Sequence, residues 1–254
     1  VAWLQLAAIK GKLPVSIDDE FKVNEGIETL EIKRLGFSIP ENVGMNSKVL
    51  TKIDSIANYA ISKKMTPGIQ VVVARKGKVI YQKSFGNHTY ESTQKVNNTD
   101  VYDIASLTKI VATLPNVMQE FDKGHLTLET KLKAMLPMAR NSNKENATVL
   151  DMLTHQARFQ PWIPFYKATL DSLNRPSTHF YRSEFSDEFP VHVADKLYLR
   201  KNYNDTIVKT ILDSELLPKK QYKYSDFTFI LFKEYLELHN KKSLEDLEHA
   251  NFIE

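Results

Sequence analysis

Ile104-Ala105-Ser106-Leu107-Thr108-Lys109-Ile110 sets a hydroxyl and an amine three residues apart at what reads as the start of a helix. From there the apolar residues fall at Leu107, Ile110, Val111, Leu114, Val117, Met118 and Phe121, a helical spacing that predicts one buried stripe. Pro115 removes one helical hydrogen bond and is expected to bend the rod near Val111. Ser106 then lies in the first turn, where free backbone N–H groups and the helix dipole favour developing negative charge. An attacked carbonyl oxygen would be stabilised there. Residues three apart share a helix face, so a neutral Lys109 can take the proton of Ser106 once desolvation or a cationic neighbour lowers its pKa from about 10.4.

Spacing alone is weak. Ser92-Thr93-Gln94-Lys95 repeats it inside the polar stretch from Asn87 to Asp100, which reads as a loop. The plain alternative for Ser106 is a helix-capping serine with a solvated lysine one turn on.

Outward from this segment, Ile69 to Arg75 and Lys78 to Phe85 predict a hairpin about Lys76-Gly77, the start of an antiparallel sheet. Ser47 to Lys64 predicts an amphipathic helix with Val49, Leu50, Ile53, Ile56, Ala57, Ala60 and Ile61 on one side. Residues 1–45 carry turn signals without a sustained period and read as a tail and linker. Thr148 to His155, Phe227 to Leu238 and Leu244 to Phe252 read as helical. Ala157 to Arg200 is rich in aromatics and proline: either an aromatic-lined cleft or an irregular excursion packed by its own rings. The chain has eight glycines and the last is Gly124, so the second half lacks the residue that turns most cheaply through positive φ.

The composition excludes several function classes. The 254 residues, 42% hydrophobic and 26% charged, suit a folded chain of one or two domains. A net charge of +3 with interspersed signs gives no basic stripe for nucleic acid. Without cysteine there is no disulfide, zinc–thiolate site or thiol nucleophile. The seven histidines show no His-x-His or His-Glu-x-x-His spacing, so neither metal nor cofactor is expected. No apolar run reaches the roughly 18 residues that span a bilayer. Val1 to Ile9 reads as the end of a helix cut from a longer chain, not as a signal peptide.

A second constellation, Lys223-Tyr224-Ser225-Asp226, directly precedes the Phe227 helix, though Tyr203-Asn204-Asp205 shows that its spacing too is cheap. Taken in order, Ile69 to Arg75, the hairpin, Ala105 to Lys109, Lys123-Gly124-His125-Leu126-Thr127-Leu128, Leu153-Thr154-His155 and Tyr224-Ser225-Asp226 resemble the serine beta-lactamase and penicillin-binding protein superfamily, on its class C and esterase side. The resemblance covers about residues 47–254. It implies Ser106 as the acylated nucleophile, Lys109 as its amine partner, Tyr224 as a second proton carrier, and a structural His155. Gly11-Lys12-Leu13-Pro14-Val15 resembles the end of a family-3 glycoside hydrolase, which in some bacterial proteins precedes such a module.

Three departures stand out. Where the family has Tyr-x-Asn this chain has Asp226, whose carboxylate favours a charged Lys109, moves the base role toward Tyr224, and gives a substrate-binding position suited to a cationic group. Ala157-Arg158 replaces the usual pair ending in glycine. The third motif, Lys or His followed by x-Gly, has no counterpart, since no glycine follows Tyr224. The expectation is an α+β, beta-lactamase/transpeptidase-like fold over 46–254: an antiparallel sheet flanked by helices, a helical lobe, and C-terminal strands missing. The function implied is a serine hydrolase forming an acyl-enzyme with a beta-lactam, peptidoglycan-like peptide or ester, inactive in truncated form and periplasmic or otherwise exported by resemblance. The alternative is a catalytically degenerate module appended to a family-3 glycoside hydrolase that carries the activity.

Overall fold

The computed structural model describes residues 35–252. The glycoside-hydrolase-like segment and most of the expected tail and linker lie outside the described residues. The described chain divides into two compact units, between Asp103 and Ile104.

The first unit is built on the expected hairpin. After a short strand β1 (Gly36–Phe37), helices α1 (Ser47–Leu50) and α2 (Lys52–Ser62) precede strands β2 (Gly68–Arg75) and β3 (Lys78–Gly86). The turn residues Lys76 and Gly77 both have positive φ, 49° and 70°. That is the backbone a two-residue hairpin loop needs to match the strands' twist. The sheet order is β1-β3-β2, with β2 antiparallel and β1 parallel to β3. The predicted Ser47–Lys64 helix is broken at Thr51. Its stripe is only partly buried: Leu50 and Ala57 are covered, but Val49 and Ile56 are exposed. Asn46 caps α1 by accepting from the amide of Val49. Residues 87–100 are irregular, as expected, and the decoy Ser92 spends its hydroxyl on the amide of Gln94.

The second unit holds both motif segments. Helix α3 (Leu114–Asp122) is followed by α4 (Leu132–Met135), α5 (Val149–Leu153), strands β4 (Tyr181–Arg182), β5 (Val191–Ala194) and β6 (Leu197–Leu199), and then α6 (Tyr203–Asp213), α7 (Phe227–Asn240) and α8 (Leu244–Phe252). The core gathers Leu132, Leu136, Met152, Ile211, Phe227, Leu231, Phe232 and Leu236, all fully buried. Burying each such side chain contributes about 1.5–3 kcal/mol. Half of them come from α7, which anchors the unit.

Within the largely helical lobe between the Ser106 segment and Tyr224, β4, β6 and β5 form a small antiparallel sheet in that order. Its strands are two to four residues long, too short for alternation to show in the sequence. The aromatics of this region divide, Phe159 and Phe189 being buried while Trp162, Tyr166 and Phe185 stand in solvent. The decoy Tyr203 is a core residue whose hydroxyl donates to the carbonyl of Phe165.

The glycine-free half makes its positive-φ corners with other residues: Asn141, His155, Arg158, Asn174, Lys196 and Lys241. Arg158, at 62°, stands where the resembled family has glycine. It is held by its own guanidinium, which donates to the Leu217 carbonyl at 2.6 Å, and by its carbonyl, which accepts from the Leu217 amide.

Candidate active site

Ser106 does not open a regular α-helix. It lies in a 3₁₀ turn, Ala105–Leu107, that leads into a π-helical turn, Lys109–Thr113, before α3 begins. The wide turn is closed by the amide of Leu114 on the carbonyl of Lys109. Pro115 accounts for the position of the irregularity: without an N–H it cannot bond the carbonyl of Val111, so the ladder opens one turn before it. The proline itself sits in the first turn of α3, where a missing donor costs nothing.

A π turn holds one residue more than an α turn, so the apolar periodicity loses phase across it. Leu107, Ile110, Met118 and Phe121 of the predicted buried stripe are in fact exposed. The inward face instead carries Lys109, Thr113, Asn116 and Glu120, together with Ala112 and Val117. Asn116 and Glu120 are satisfied. Asn116 donates to the Ala112 carbonyl and accepts from Asn251, and Glu120 accepts from Lys123.

On this face the Lys109 side chain, 15% exposed, reaches three neighbours. Its Nζ donates to Ser106 Oγ at 3.0 Å and pairs with Asp226 Oδ1 at 2.7 Å. It also lies 5.4 Å from the centre of the Tyr224 ring. Burial is the largest influence on the amine and pulls its pKa down. Hydrogen bonds and charge from Asp226 and Tyr224 together outweigh it, and the net direction is upward. The resting amine is therefore an ammonium that donates to Ser106. It becomes a base only after losing a proton.

The segment that supplies Tyr224 and Asp226 is fixed through its backbone. The amide of Lys223 bonds the His155 carbonyl, that of Ser225 bonds His155 Nδ1 at 3.2 Å, and that of Asp226 bonds the Pro161 carbonyl. Ser225, fully buried, donates its hydroxyl to the Gln160 carbonyl at 2.6 Å and accepts from the amide of Phe227, the first residue of α7. His155 lies just past the end of α5 with φ 55°, not inside a helix, and is half-buried. Its ring packs on Tyr224 at 4.7 Å and on Phe229. Because Nδ1 accepts a backbone N–H, the ring is neutral, and burial followed by the Lys109 charge lowers its pKa. Ser225, Gln160 and Pro161 were invisible as positioning residues in the sequence, since two of the three act through backbone carbonyls.

The structure thus brings Ser106, Lys109, Tyr224 and Asp226 together within one unit. The side chains of Ser106, Tyr224 and Asp226 reach solvent. At the C-terminal ends of α3 and α7, Glu120, His125 and His239 form a separate group. Among the described residues no helix is long and apolar enough to cross a membrane.

The fold is of the beta-lactamase/transpeptidase-like class, with helices packed around antiparallel sheets. The beta-lactamase family model matches residues 57–253, and the chain belongs to that family. It is 27% identical over 139 residues to an N-acetylmuramyl-L-alanine amidase of Bacillus subtilis, covering 50% of this chain and 31% of the amidase. It is 22% identical over 121 residues to the esterase EstB of Burkholderia gladioli, covering 46% of this chain and 31% of that protein. Among solved structures it is similar to the octameric penicillin-binding protein homologue of Pyrococcus abyssi, with TM-score 0.57 and 20% identity over 79% of this chain and 41% of that one. A class C beta-lactamase from Rhodobacter sphaeroides gives TM-score 0.52 and 20% identity over 80% and 48%. The chain spans about a third of the length of these curated relatives and less than half of these structures.

Proposed function

We propose that this chain carries the nucleophile and proton-transfer groups of a serine hydrolase acting through an acyl-enzyme on an amide or ester. The supporting observation is the 3.0 Å contact between Lys109 Nζ and Ser106 Oγ, with the amine largely shielded from water. Ser106 Oγ attacks the substrate carbonyl while its proton passes to Lys109 once the amine is neutral, or to Tyr224 alongside it. The amide N–H of Ser106 stabilises the developing oxyanion. Collapse of the tetrahedral intermediate expels the leaving group with a proton returned from the same carriers. Water then hydrolyses the ester on Ser106 and restores the hydroxyl. Similarity to an amidase named for N-acetylmuramyl-L-alanine and to an esterase supports a beta-lactam, peptidoglycan-like peptide or ester as substrate, with an exported location. Asp226 is engaged by Lys109 and half-open to solvent, so it can also meet a cationic substrate group.

A fluorophosphonate or a fluorescent penicillin tests the reading. The whole protein labels with one equivalent and Ser106→Ala abolishes labelling; equal labelling of Ser106→Ala refutes it. The raised pKa of Lys109 favours a second reading, a catalytically degenerate binding or scaffold module appended to a family-3 glycoside hydrolase. Under that reading no label forms even at alkaline pH, where the amine is neutral.

A further inference from the structure

Glu120 Oε2 lies 2.7 Å from His125 Nδ1 and 3.3 Å from His239 Nε2, and the two ring nitrogens are 3.2 Å apart. We propose that these three side chains form a divalent transition-metal site, of the two-histidine, one-carboxylate kind that takes Zn²⁺, independent of the hydrolase reading.

The distances fit the ion. In a tetrahedral zinc site with bonds of about 2.0–2.1 Å, ligand atoms lie about 3.3 Å apart. Two of the three separations already have that value, and the third needs to open by about 0.6 Å. A circle through the three donors has a radius of about 1.8 Å, shorter than the bond, so an ion at bonding distance sits about 1 Å out of their plane. The histidine side chains are 46% and 38% exposed, which leaves the fourth position open to water.

Local structure brings the ligands together across 119 positions of sequence without any recognisable spacing. Gly124, at φ 77°, ends α3 with its amide on the Phe121 carbonyl and the amide of His125 on the Glu120 carbonyl. This is the paired C-terminal motif that folds the chain back over its last turn, and it returns His125 onto Glu120. His239 arrives from the last turn of α7, with its ring stacked on Tyr235 at 5.3 Å. Glu120 is held by its other oxygen, which accepts from Lys123 at 3.2 Å. Two helix C-termini converge here, and their dipoles favour a cation.

The position gives the site a role. Asp226 lies 13 residues before His239, about 20 Å along α7 at 1.5 Å per residue, and Ser106 precedes Glu120 by 14 residues through the 3₁₀ and π turns that lead into α3. The ion would pin the C-terminal ends of α3 and α7, whose N-terminal ends adjoin the segments that carry the hydroxyl, amine, phenol and carboxylate.

The test is Zn²⁺ binding by the full chain in competition with a chromophoric chelator, with Co²⁺ absorption as the check on tetrahedral geometry. One equivalent binds, and the melting temperature rises with Zn²⁺. His125→Ala and His239→Ala each weaken binding at least 100-fold, since even residues that only orient a ligand cost 10–100-fold. Both positions are partly exposed, so these variants stay folded where Glu120→Gln would not. The exposed His192→Ala is the control and binds as the parent does. Absence of binding, or binding that survives loss of both His125 and His239, overturns the proposal.

Discussion

Replacing Asp226 by Asn isolates the electrostatic contribution to the Lys109 amine. Asn keeps an oxygen for Lys109 Nζ to donate to but removes the negative charge at 2.7 Å. Asp226 is 41% exposed, so bulk-water screening is the appropriate discount, and Coulomb attraction at that distance is then about 1.5 kcal/mol. This equals a factor of about ten in the fraction of neutral amine at fixed pH. Burial, the largest influence on Lys109, remains in the variant and lowers the pKa, as losing the charge does. If neutral Lys109 is the base for acylation, the variant acylates about tenfold faster on the rising limb of the pH profile and reaches the same plateau. The assay is the acylation rate of a fluorescent penicillin or an activated ester from about pH 6 to about pH 10, where neutral amine accumulates. Intact mass counts one adduct, and its loss in Ser106→Ala places it on Ser106. An unchanged or slower limb with an unchanged plateau would show that neutral Lys109 does not take the proton, and would leave Tyr224 as its acceptor.

Three further outcomes follow from the packing. Lys144 is buried with its ammonium donating to Asn143 Oδ1 and to the carbonyls of Leu212 and Ser214, at the end of α6, and burial lowers its pKa to about 8. The unfolded chain keeps its proton up to 10.5, so stability from this group rises between about pH 8 and 10.5, and Lys144→Met removes that slope from chemical denaturation curves. His155 is the acid-side counterpart: its pKa is lowered from 6.5, so its contribution is full above pH 6.5 and falls as acid protonates the nitrogen that receives the Ser225 amide. His155→Gln flattens that part of the pH–stability profile. Gly86→Ala lowers the melting temperature sharply, by about 3 kcal/mol in stability, because a Cβ at φ 74° meets the Pro67 carbonyl oxygen and Ile61 Cδ1 at 2.9 Å. A change below about 1 kcal/mol would show that this strand end relaxes freely.

The sequence exposed what depends on local rules. The hairpin was legible because Lys76-Gly77 is flanked by a valine-rich run and an alternating one, and α7 and α8 because their apolar residues keep phase. The π turn was not legible: Pro115 marks where a ladder must open but not whether the chain bends or widens, and the widening turned the apolar stripe outward. The Ser106–Lys109 and Tyr224–Asp226 pairs were each ambiguous by spacing, and became interpretable through the order of the elements around them. Their supports were hidden because a carbonyl of Gln160 or Pro161 carries no side-chain signature. The Glu120–His125–His239 group escaped because its third member comes from another helix.

The corners that this chain makes without glycine give a protein engineer a handle. An L residue in the left-handed region costs about 1–2 kcal/mol, and glycine there returns most of it, less about 0.4–1 kcal/mol of added unfolded-chain freedom. Arg158 and His155 are spoken for by Leu217 and Ser225. Asn141, Asn174, Lys196 and Lys241 offer surface sites where hardening the protein against heat and disturbing its chemistry are separate operations.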